Sequence, residues 1–381
     1  MQNILKKIKV RDLIDIIKLI LSIVPALIYQ IFLNRELWLV SERENEAKDN
    51  GFWFYKYACE NINENVDVYY AIKKKSNDYD KLRKIGKTVE FGSLKHYILT
   101  LCSNKYISSQ YSNGLPGRVV YYFWIYGLIK LNFYFLQHGV TMNQSDYLKE
   151  PAKKVKFFCC VSEKEADFAK KTLGYSNSAA KVLGFCRYDG LKNKDSNTIF
   201  IMFTWRKYLS EVSAEFFKNT TFYKSIQFLL NDENFNECVK EYKISFVLHP
   251  GIAKYQHLFV TRAKNIRFID INDISFQEQI SSANIFITDY SSVSFDFAYL
   301  NKSVIYYQFD KTEFRDKHLQ EGYFDYSRDG FGPVCEDVKS VVEALKNVDK
   351  NIVKYRYNRN EFFKYRDYHN CKRIFEFICN N

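Results

Sequence analysis

Short apolar segments alternate with segments of helical periodicity along almost the whole chain, and this alternation limits the possible folds more than any other feature. The apolar segments predict strands at residues 38–41, 66–72, 132–136, 156–162, 199–204, 244–248, 285–288 and 303–307. Segments with helical spacing, such as 50–61, lie between them. Strands that alternate with helices form parallel sheets covered on both faces. The predicted fold class is therefore α/β.

One polar segment, residues 191–198, interrupts the alternation before it restarts. A chain of 381 residues is long for a single core. We therefore predict two doubly wound Rossmann-like domains that face a central cleft, one over residues 36–192 and one over residues 193–352. A helical, aromatic tail over residues 353–381 is expected to pack back on the first domain.

Residues 1–35 form a separate region, which begins with four basic residues: Lys6, Lys7, Lys9 and Arg11. An apolar run over 16–33 follows, interrupted by Lys18 and Pro25. A membrane-spanning helix needs about 20 apolar residues, and no clean signal-peptide cleavage site follows the run. The pattern favours a helix in the membrane interface with its basic residues toward anionic headgroups. An ordinary helix packed on the first domain is the alternative, and a true span stays open.

The net charge of +12 points to an anionic partner, such as a membrane surface or a phosphorylated substrate. Zinc-finger spacing, an RNP-like motif and a long basic tail are all missing from the sequence, so nucleic acid is not predicted as a partner. The nine cysteines are irregularly spaced and predict reduced thiols. No His/Cys cluster has ligand spacing, and no Asp-x-Asp pair follows a strand. We therefore predict no metal and no other cofactor.

The strand at 285–288 runs directly into Asp289-Tyr290-Ser291-Ser292, and a helical segment with Phe295, Phe297 and Ala298 follows. This pattern predicts a strand, a tight turn and the start of a helix. Hydroxyl groups and unpaired backbone N–H groups at such a point favour an anion. The serines can also simply cap the helix, and the two roles are compatible.

Polar residues also follow three other predicted strands, in Gln137-His138-Gly139, Thr204-Trp205-Arg206 and His249-Pro250-Gly251. Ligands of open α/β sheets bind beyond the carboxyl ends of the strands. An imidazole such as His138 can act as a general base or cap a loop. A guanidinium such as Arg206 can hold phosphate oxygens or form a surface ion pair.

These four motifs, in their order along the chain, resemble those of the CDP-glycerol glycerophosphotransferase family, whose members build teichoic acid and capsule polymers. Residues 184–189 are similar to the Gly-x-Pro-Arg-x-Asp motif of the family, and residues 322–326 with Gly332-Pro333 also fit. The resemblance implies a GT-B fold and an enzyme at the cytoplasmic face of the cell membrane, as a peripheral or monotopic protein. It implies transfer of glycerol phosphate from CDP-glycerol to a hydroxyl of a polymer or lipid-linked acceptor, with release of CMP.

The resemblance also assigns roles to individual residues. His138 is the expected base, and His249 is expected to donate to the pyrophosphate. The donor-binding residues implied are Arg187, Arg206, Thr288, Asp289, Ser291 and Ser292. Asp289 is unfavourable beside a phosphate and is expected instead to orient a histidine or a backbone N–H, or to bind a polyol hydroxyl.

The sequence departs from the family at residues 137–141, where Gln-His-Gly-Val-Thr replaces the usual Trp-His-Gly-Thr-Pro. We expect this loop to face the acceptor. CDP-ribitol therefore stays open as the donor, as do the linkage unit, the teichoic chain and the capsule repeat as acceptors. A nucleotide-sugar glycosyltransferase of GT-B fold and a non-catalytic membrane-bound assembly protein are the remaining alternatives.

Overall fold

The protein is described from a computed structural model, which covers residues 12–381 apart from 33, 195, 272 and 274. The four basic residues predicted to face headgroups lie outside these described residues. The chain divides into two compact units. The first unit holds the residues up to 138, 146–190 and 367–381, and the second unit holds residues 139–145 and 191–366.

The strands of the described chain are β1 (Glu36–Ser41), β2 (Val66–Ile72), β3 (Lys87–Glu90), β4 (Lys105–Ser108), β5 (Phe133–Phe135), β6 (Val155–Cys160), β7 (Ala180–Val182), β8 (Thr198–Phe203), β9 (Lys243–Leu248), β10 (Ile266–Phe268), β11 (Ile285–Thr288), β12 (Ser303–Tyr307) and β13 (Val334–Cys335). Its α-helices are α1 (Asp12–Phe32), α2 (Asn50–Asn61), α3 (Tyr79–Arg83), α4 (Leu94–Cys102), α5 (Arg118–Ile125), α6 (Asp146–Lys149), α7 (Glu163–Phe168), α8 (Ala214–Asn219), α9 (Thr221–Asn231), α10 (Glu233–Cys238), α11 (Phe276–Ser282), α12 (Val293–Tyr299), α13 (Lys311–Lys317), α14 (Val338–Lys346), α15 (Val348–Lys354), α16 (Arg356–Phe362) and α17 (Asn370–Cys379).

The first unit is built on a parallel sheet with the strand order β3-β2-β1-β4-β5-β6-β7. Its strands are almost continuous apolar runs because helices cover both faces of the sheet. In β1, for example, all residues after Glu36 are buried. The strand order reverses between β1 and β4, and such a switch point leaves a crevice at the carboxyl ends of the strands.

The second unit is built on a parallel sheet with the order β10-β9-β8-β11-β12-β13. Its strand order reverses between β8 and β11. Aromatic rings from β8, β11 and α12 stack on one another. The ring of Phe286 lies 4.6 Å from that of Phe297 and 5.3 Å from that of Phe200. The predicted α/β class with parallel sheets is confirmed in both units.

Helix α1 packs on α4 and α5 of the first unit through a narrow face that includes Leu19 and Ala26. The Tyr97 hydroxyl donates to Asp15 (2.8 Å), and Lys18 donates to the carbonyl of Gly92 (2.7 Å). The rest of the helix exposes large apolar side chains: Leu13, Ile14, Ile17, Ile20, Leu21, Ile23, Val24, Leu27, Ile28, Ile31 and Phe32. By length and composition alone, α1 could cross a membrane. The helix thus packs on the first unit and also presents an apolar face outward.

The expected tail over residues 353–381 is divided between the units, with 353–366 in the second and 367–381 in the first. Helix α17 lies against α2. The N–H groups of Asn370 and Cys371, in the first turn of α17, have no acceptor within the helix. They donate instead to the carboxylate of Asp189 at 2.9 and 2.7 Å. Asp189, the last residue of the 184–189 motif, therefore anchors the end of the chain.

Candidate active site

The loop after β5 presents His138 in the first unit. The preceding residue, Gln137, has φ 61°, a left-handed conformation that is uncommon for a residue other than glycine. Its side chain donates to Glu165 (2.9 Å), and its carbonyl accepts from the Asn50 amide (2.8 Å). These contacts fix the backbone before His138. Because Gln137 is buried, the expectation that the whole 137–141 loop faces the acceptor is wrong for this side chain.

His138 is exposed over 57% of its side chain and is paired with Asp49, whose Oδ2 lies 2.5 Å from Nδ1 of the imidazole. Arg187 Nη1 lies 3.1 Å from the other oxygen of Asp49 and donates to the carbonyl of His138 at 2.9 Å. Burial raises the pKa of the Asp49 carboxyl, but His138 and Arg187 outweigh burial, so its pKa lies below the ordinary value. With Nδ1 directed at this carboxylate, Nε2 is the nitrogen that can take up a proton.

A second carboxyl group, Glu42, orders the segment that carries Asp49. Glu42 directly follows β1 and is 1% exposed. Its oxygens accept the backbone N–H groups of Lys48, Asp49 and Phe52 at 3.0, 3.0 and 2.7 Å. Burial, and next the charge of Asp49, raise the pKa of Glu42 to about 8. Glu42 thus fixes the start of α2, and with it the carboxylate that orients His138.

Polar residues follow both strands at the switch point of the second unit. Asp289 follows β11, and its Oδ1 accepts the N–H of Thr204, the residue after β8, at 2.8 Å. The buried Thr288 hydroxyl donates to the carbonyl of Met202 (2.7 Å). Thr288 and Asp289 therefore tie the two strand ends together. Residues 288–292 are called the 288–292 turn. Thr288 and Asp289 stabilise the shape of this turn, and their own side chains do not point outward.

Arg206 is completely buried between two carboxylates. Its Nη2 lies 2.8 Å from Asp310 and 2.9 Å from Asp289, and its Nε donates to Asp310 at 2.8 Å. Burial lowers the pKa of the guanidinium, but the two carboxylates outweigh burial and raise it. The prediction that Arg206 itself holds donor phosphate does not fit, because the side chain has no exposed surface. Arg206 instead joins the 288–292 turn to the start of α13.

Trp205 lies between two histidines. Its ring is stacked on that of His249, with centroids 5.8 Å apart and an angle of 10° between the planes. The edge-on ring of His318 lies 5.3 Å away. His249 Nδ1 accepts the N–H of Gly251 (3.1 Å), so a neutral imidazole carries its proton on Nε2. A Cβ atom on Gly251 would lie 2.7 Å from the Trp205 ring, so the ring occupies the space that a side chain at residue 251 would need. Trp205 and Gly251 therefore set the orientation in which His249 is held.

Ser291 and Ser292 are half-buried at the outer end of the 288–292 turn. The Ser291 hydroxyl accepts the N–H of Val293 at 3.2 Å. A Cβ atom on Gly139 would lie 2.7 Å from the Ser292 hydroxyl. Of the predicted residues in this turn, Ser291 and Ser292 are therefore the ones whose side chains lie at its accessible end.

Segment 139–145 is held against residues 315–326 in the second unit. The Arg315 guanidinium donates to Asn143 (2.7 Å), and the Tyr326 hydroxyl contacts the sulfur of Met142 (3.8 Å). A Cβ on Gly322 would overlap the carbonyl of Met142. Only glycine allows this close approach, which explains the glycine in the 322–326 motif.

The structure brings the predicted residues into two groups, one in each unit. His138 and Arg187 meet in the first unit, where Arg187 supports His138 through Asp49. Thr204, Arg206, His249 and the 288–292 turn meet in the second. Sequence reasoning missed Asp49, Asp310 and His318, since none of them stands in a recognisable motif.

Within the part of the chain that the structure describes, no three His, Cys, Asp or Glu side chains gather as a metal site requires. Metal independence stays a prediction. All nine cysteines are free thiols in the structure, as their spacing predicts.

Comparison with known proteins gives consistent results. The profile of a family described as CDP-glycerol:poly(glycerophosphate) glycerophosphotransferase matches residues 26–380. The minor teichoic acid biosynthesis protein GgaB of Bacillus subtilis (strain 168) is 36% identical in an alignment of 373 residues that covers 92% of this chain and 40% of GgaB. The chain thus spans less than half the length of that relative.

Solved structures support the fold. The wall teichoic acid polymerase TagF superposes with a TM-score of 0.68 at 14% identity, over 98% of each chain. A variant of TagF soaked with CDPG superposes with a TM-score of 0.66 at 15% identity, over the same share of each chain. With a parallel sheet in each unit, this similarity confirms the predicted GT-B fold.

Proposed function

The chain belongs to the CDP-glycerol:poly(glycerophosphate) glycerophosphotransferase family, and from this premise we propose that it transfers glycerol phosphate from CDP-glycerol to a hydroxyl of a teichoic acid or capsular polymer. The acceptor oxygen forms a bond to the β-phosphorus of the donor, and the bond from that phosphorus to the oxygen of CMP breaks. The acceptor hydroxyl loses its proton, and CMP leaves. The family match over residues 26–380 is the observation that carries this proposal.

His138 takes the proton of the acceptor hydroxyl on its Nε2. The 2.5 Å contact to Asp49 supports this role, because the carboxylate fixes the tautomer and stabilises the imidazolium that forms. Arg187 holds Asp49 and the His138 carbonyl, so its contribution is positioning rather than donor binding. A positioned base of this kind contributes about 10²–10⁴-fold to the rate.

His249, Ser291 and Ser292 bind the pyrophosphate of the donor. His249 Nε2–H donates to the oxygens that gain charge as CMP leaves, while the two serines offer hydroxyl and N–H groups. Arg206 and Asp289 are positioning residues that shape the 288–292 turn. In phosphoryl transfer, such positioning and electrostatic stabilisation supply most of the catalysis.

We also propose that the protein lies on the cytoplasmic face of the membrane through α1. The exposed apolar face of this helix and the net charge of +12 support an interfacial position. In flotation with anionic vesicles, replacing Ile20 and Leu27 with serine should release the protein. Unchanged flotation would argue against α1 as the contact.

The purified protein should release CMP from CDP-glycerol in the presence of a teichoic acid acceptor, and the product should gain the mass of a glycerol phosphate unit. CDP-ribitol and UDP-sugars tested in parallel identify the donor class. Faster turnover of CDP-ribitol would change the polyol but keep the reaction. Turnover of UDP-sugars alone would refute phosphoryl transfer, and no turnover of any donor would favour a non-catalytic assembly protein.

A further inference from the structure

The first unit contains a groove of about 250 Å³ that lies outside the His138 group. One side is a face of α2, and the other is the start of α17. The groove is lined by Trp53, Lys56, Tyr57 and Glu60 at helical spacing on α2, and by Asp189 and Tyr368 near the start of α17.

The two segments that hold His138 also line this groove. Asp49, which pairs with His138, directly precedes α2, and Trp53 follows four residues later, ~6 Å along the helix axis. Arg187 contacts Asp49, and Asp189 reaches the groove two residues later. A chain-like ligand with one end at His138 can therefore continue along α2 into the groove.

Aromatic side chains give the groove flat apolar walls. Trp53 is partly exposed, although its indole N–H is buried. Tyr57 lies one turn further along α2. Tyr368, opposite, is 45% exposed and has φ 58°, a strained conformation for a bulky residue. Strain that holds an aromatic ring at an open surface is typical of a binding site.

The charges in the groove balance. Two bases, Lys56 and Lys372, and two acids, Glu60 and Asp189, line the groove, and the Asp189 carboxylate already accepts the N–H groups of α17. Glu60 has no ion-pair partner among residues that the structure describes. A polyanionic phosphate chain would meet as many acids as bases here. A neutral ligand with hydroxyl groups fits better.

We infer that this groove binds a sugar residue of the acceptor, adjacent along the acceptor chain to the hydroxyl at His138. The C–H face of a sugar ring packs on aromatic rings, its hydroxyls donate to Glu60, and Lys56 donates to its oxygens. The inference rests on the proposed function, because it takes the ligand to be the acceptor of that reaction.

Binding can be measured without turnover by ¹⁹F NMR of the full chain labelled with 5-fluorotryptophan. The chain has four tryptophans, and Trp53→Phe assigns the signal of Trp53. N-acetylglucosamine or N-acetylgalactosamine should shift the Trp53 signal, whereas glycerol and CDP-glycerol should leave it in place. The inference would be overturned if neither sugar shifted the Trp53 signal, or if glycerol shifted it as much as the sugars do.

Kinetics give an independent readout. Lys56→Ala with Glu60→Ala should raise the KM for a sugar-containing acceptor about tenfold and leave the KM for CDP-glycerol unchanged. The matched control is Asp167→Ala with Lys171→Ala, which removes an exposed acid and base from the same unit. An unchanged acceptor KM in the groove variant would refute the inference. If the unaltered protein released no CMP, the proposed function would be refuted. The NMR measurement would still show whether the groove binds a sugar.

Discussion

The two units hold their candidate histidines by different kinds of contact. In the first unit, His138 is 57% exposed and touches the carboxylate of Asp49, which is itself 13% exposed. In the second unit, His249 is stacked on Trp205, and the nearby charges of Arg206, Asp289 and Asp310 are buried. An imidazole beside a carboxylate can change its charge during a reaction, which suits proton transfer. A turn held by buried ion pairs keeps its shape, which suits recognition of a fixed anion.

The largest effect on stability should follow removal of the buried guanidinium. Arg206→Met leaves two buried carboxylates unpaired, and breaking a buried pair costs about 3–5 kcal/mol. Hydrogen exchange reports on each unit separately, and faster exchange should be confined to the second unit. Arg187→Met, whose ion pair is partly exposed, is the control and should have a smaller effect, confined to the first unit. Equal losses of stability from the two substitutions would show that the ion pairs of the two units do not differ in the way described.

His249→Ala should lower kcat by about 10²–10³-fold, because a donor to the departing CMP is lost. The Kd for CDP-glycerol should change much less if the contact strengthens in the transition state. The matched control is His257→Ala, which removes an exposed imidazole from the same turn. A kcat within twofold of the unaltered enzyme would show that His249 has no part in the chemistry.

Asp49→Asn should lower kcat by roughly 10²-fold, since a neutral amide no longer stabilises the imidazolium of His138. Donor binding should be unchanged. Asp67→Asn is a suitable control because it also removes a carboxylate from ion pairs, with Arg35 and Lys87, in the same unit. If both variants lost activity equally, general destabilisation would explain the result better than a paired base.

The smallest effect concerns His318. Burial, and then the charges of Arg206 and Lys207, lower its pKa from 6.5 to about 4. Between these values the unfolded chain binds more protons, so the free energy of unfolding falls as the pH drops from 6.5 through 4. Because solvent screens this partly exposed side chain, the expected loss is about 1 kcal/mol by pH 5. His318→Gln should remove this part of the pH dependence, and an identical pH profile in the variant would contradict the assignment.

The sequence predicts the sheets well, because strands buried on both faces leave continuous apolar runs. The predicted strands 66–72, 285–288 and 303–307 and the helix 50–61 have the bounds observed for β2, β11, β12 and α2. The short edge strands β3 and β13 were missed. They contain only four and two residues, too few for a periodic pattern.

The candidate site was only partly predictable. Motif residues at strand ends identify His138 and His249, but pairing over long sequence separations is invisible in one chain. Asp49 is 89 residues from His138, and Asp310 is 104 residues from Arg206. Arginine is rarely buried, so no sequence pattern predicts Arg206 inside the second unit.

His138 as the base of the transfer is tested most directly by CMP release from the His138→Ala variant, measured beside the binding of CDP-glycerol to the same variant. CMP release should fall by about 10²–10⁴-fold, because the base of the first unit is gone. The Kd for CDP-glycerol should stay the same, because the donor-binding residues of the second unit are intact. Normal CMP release by this variant would show that His138 is not the base.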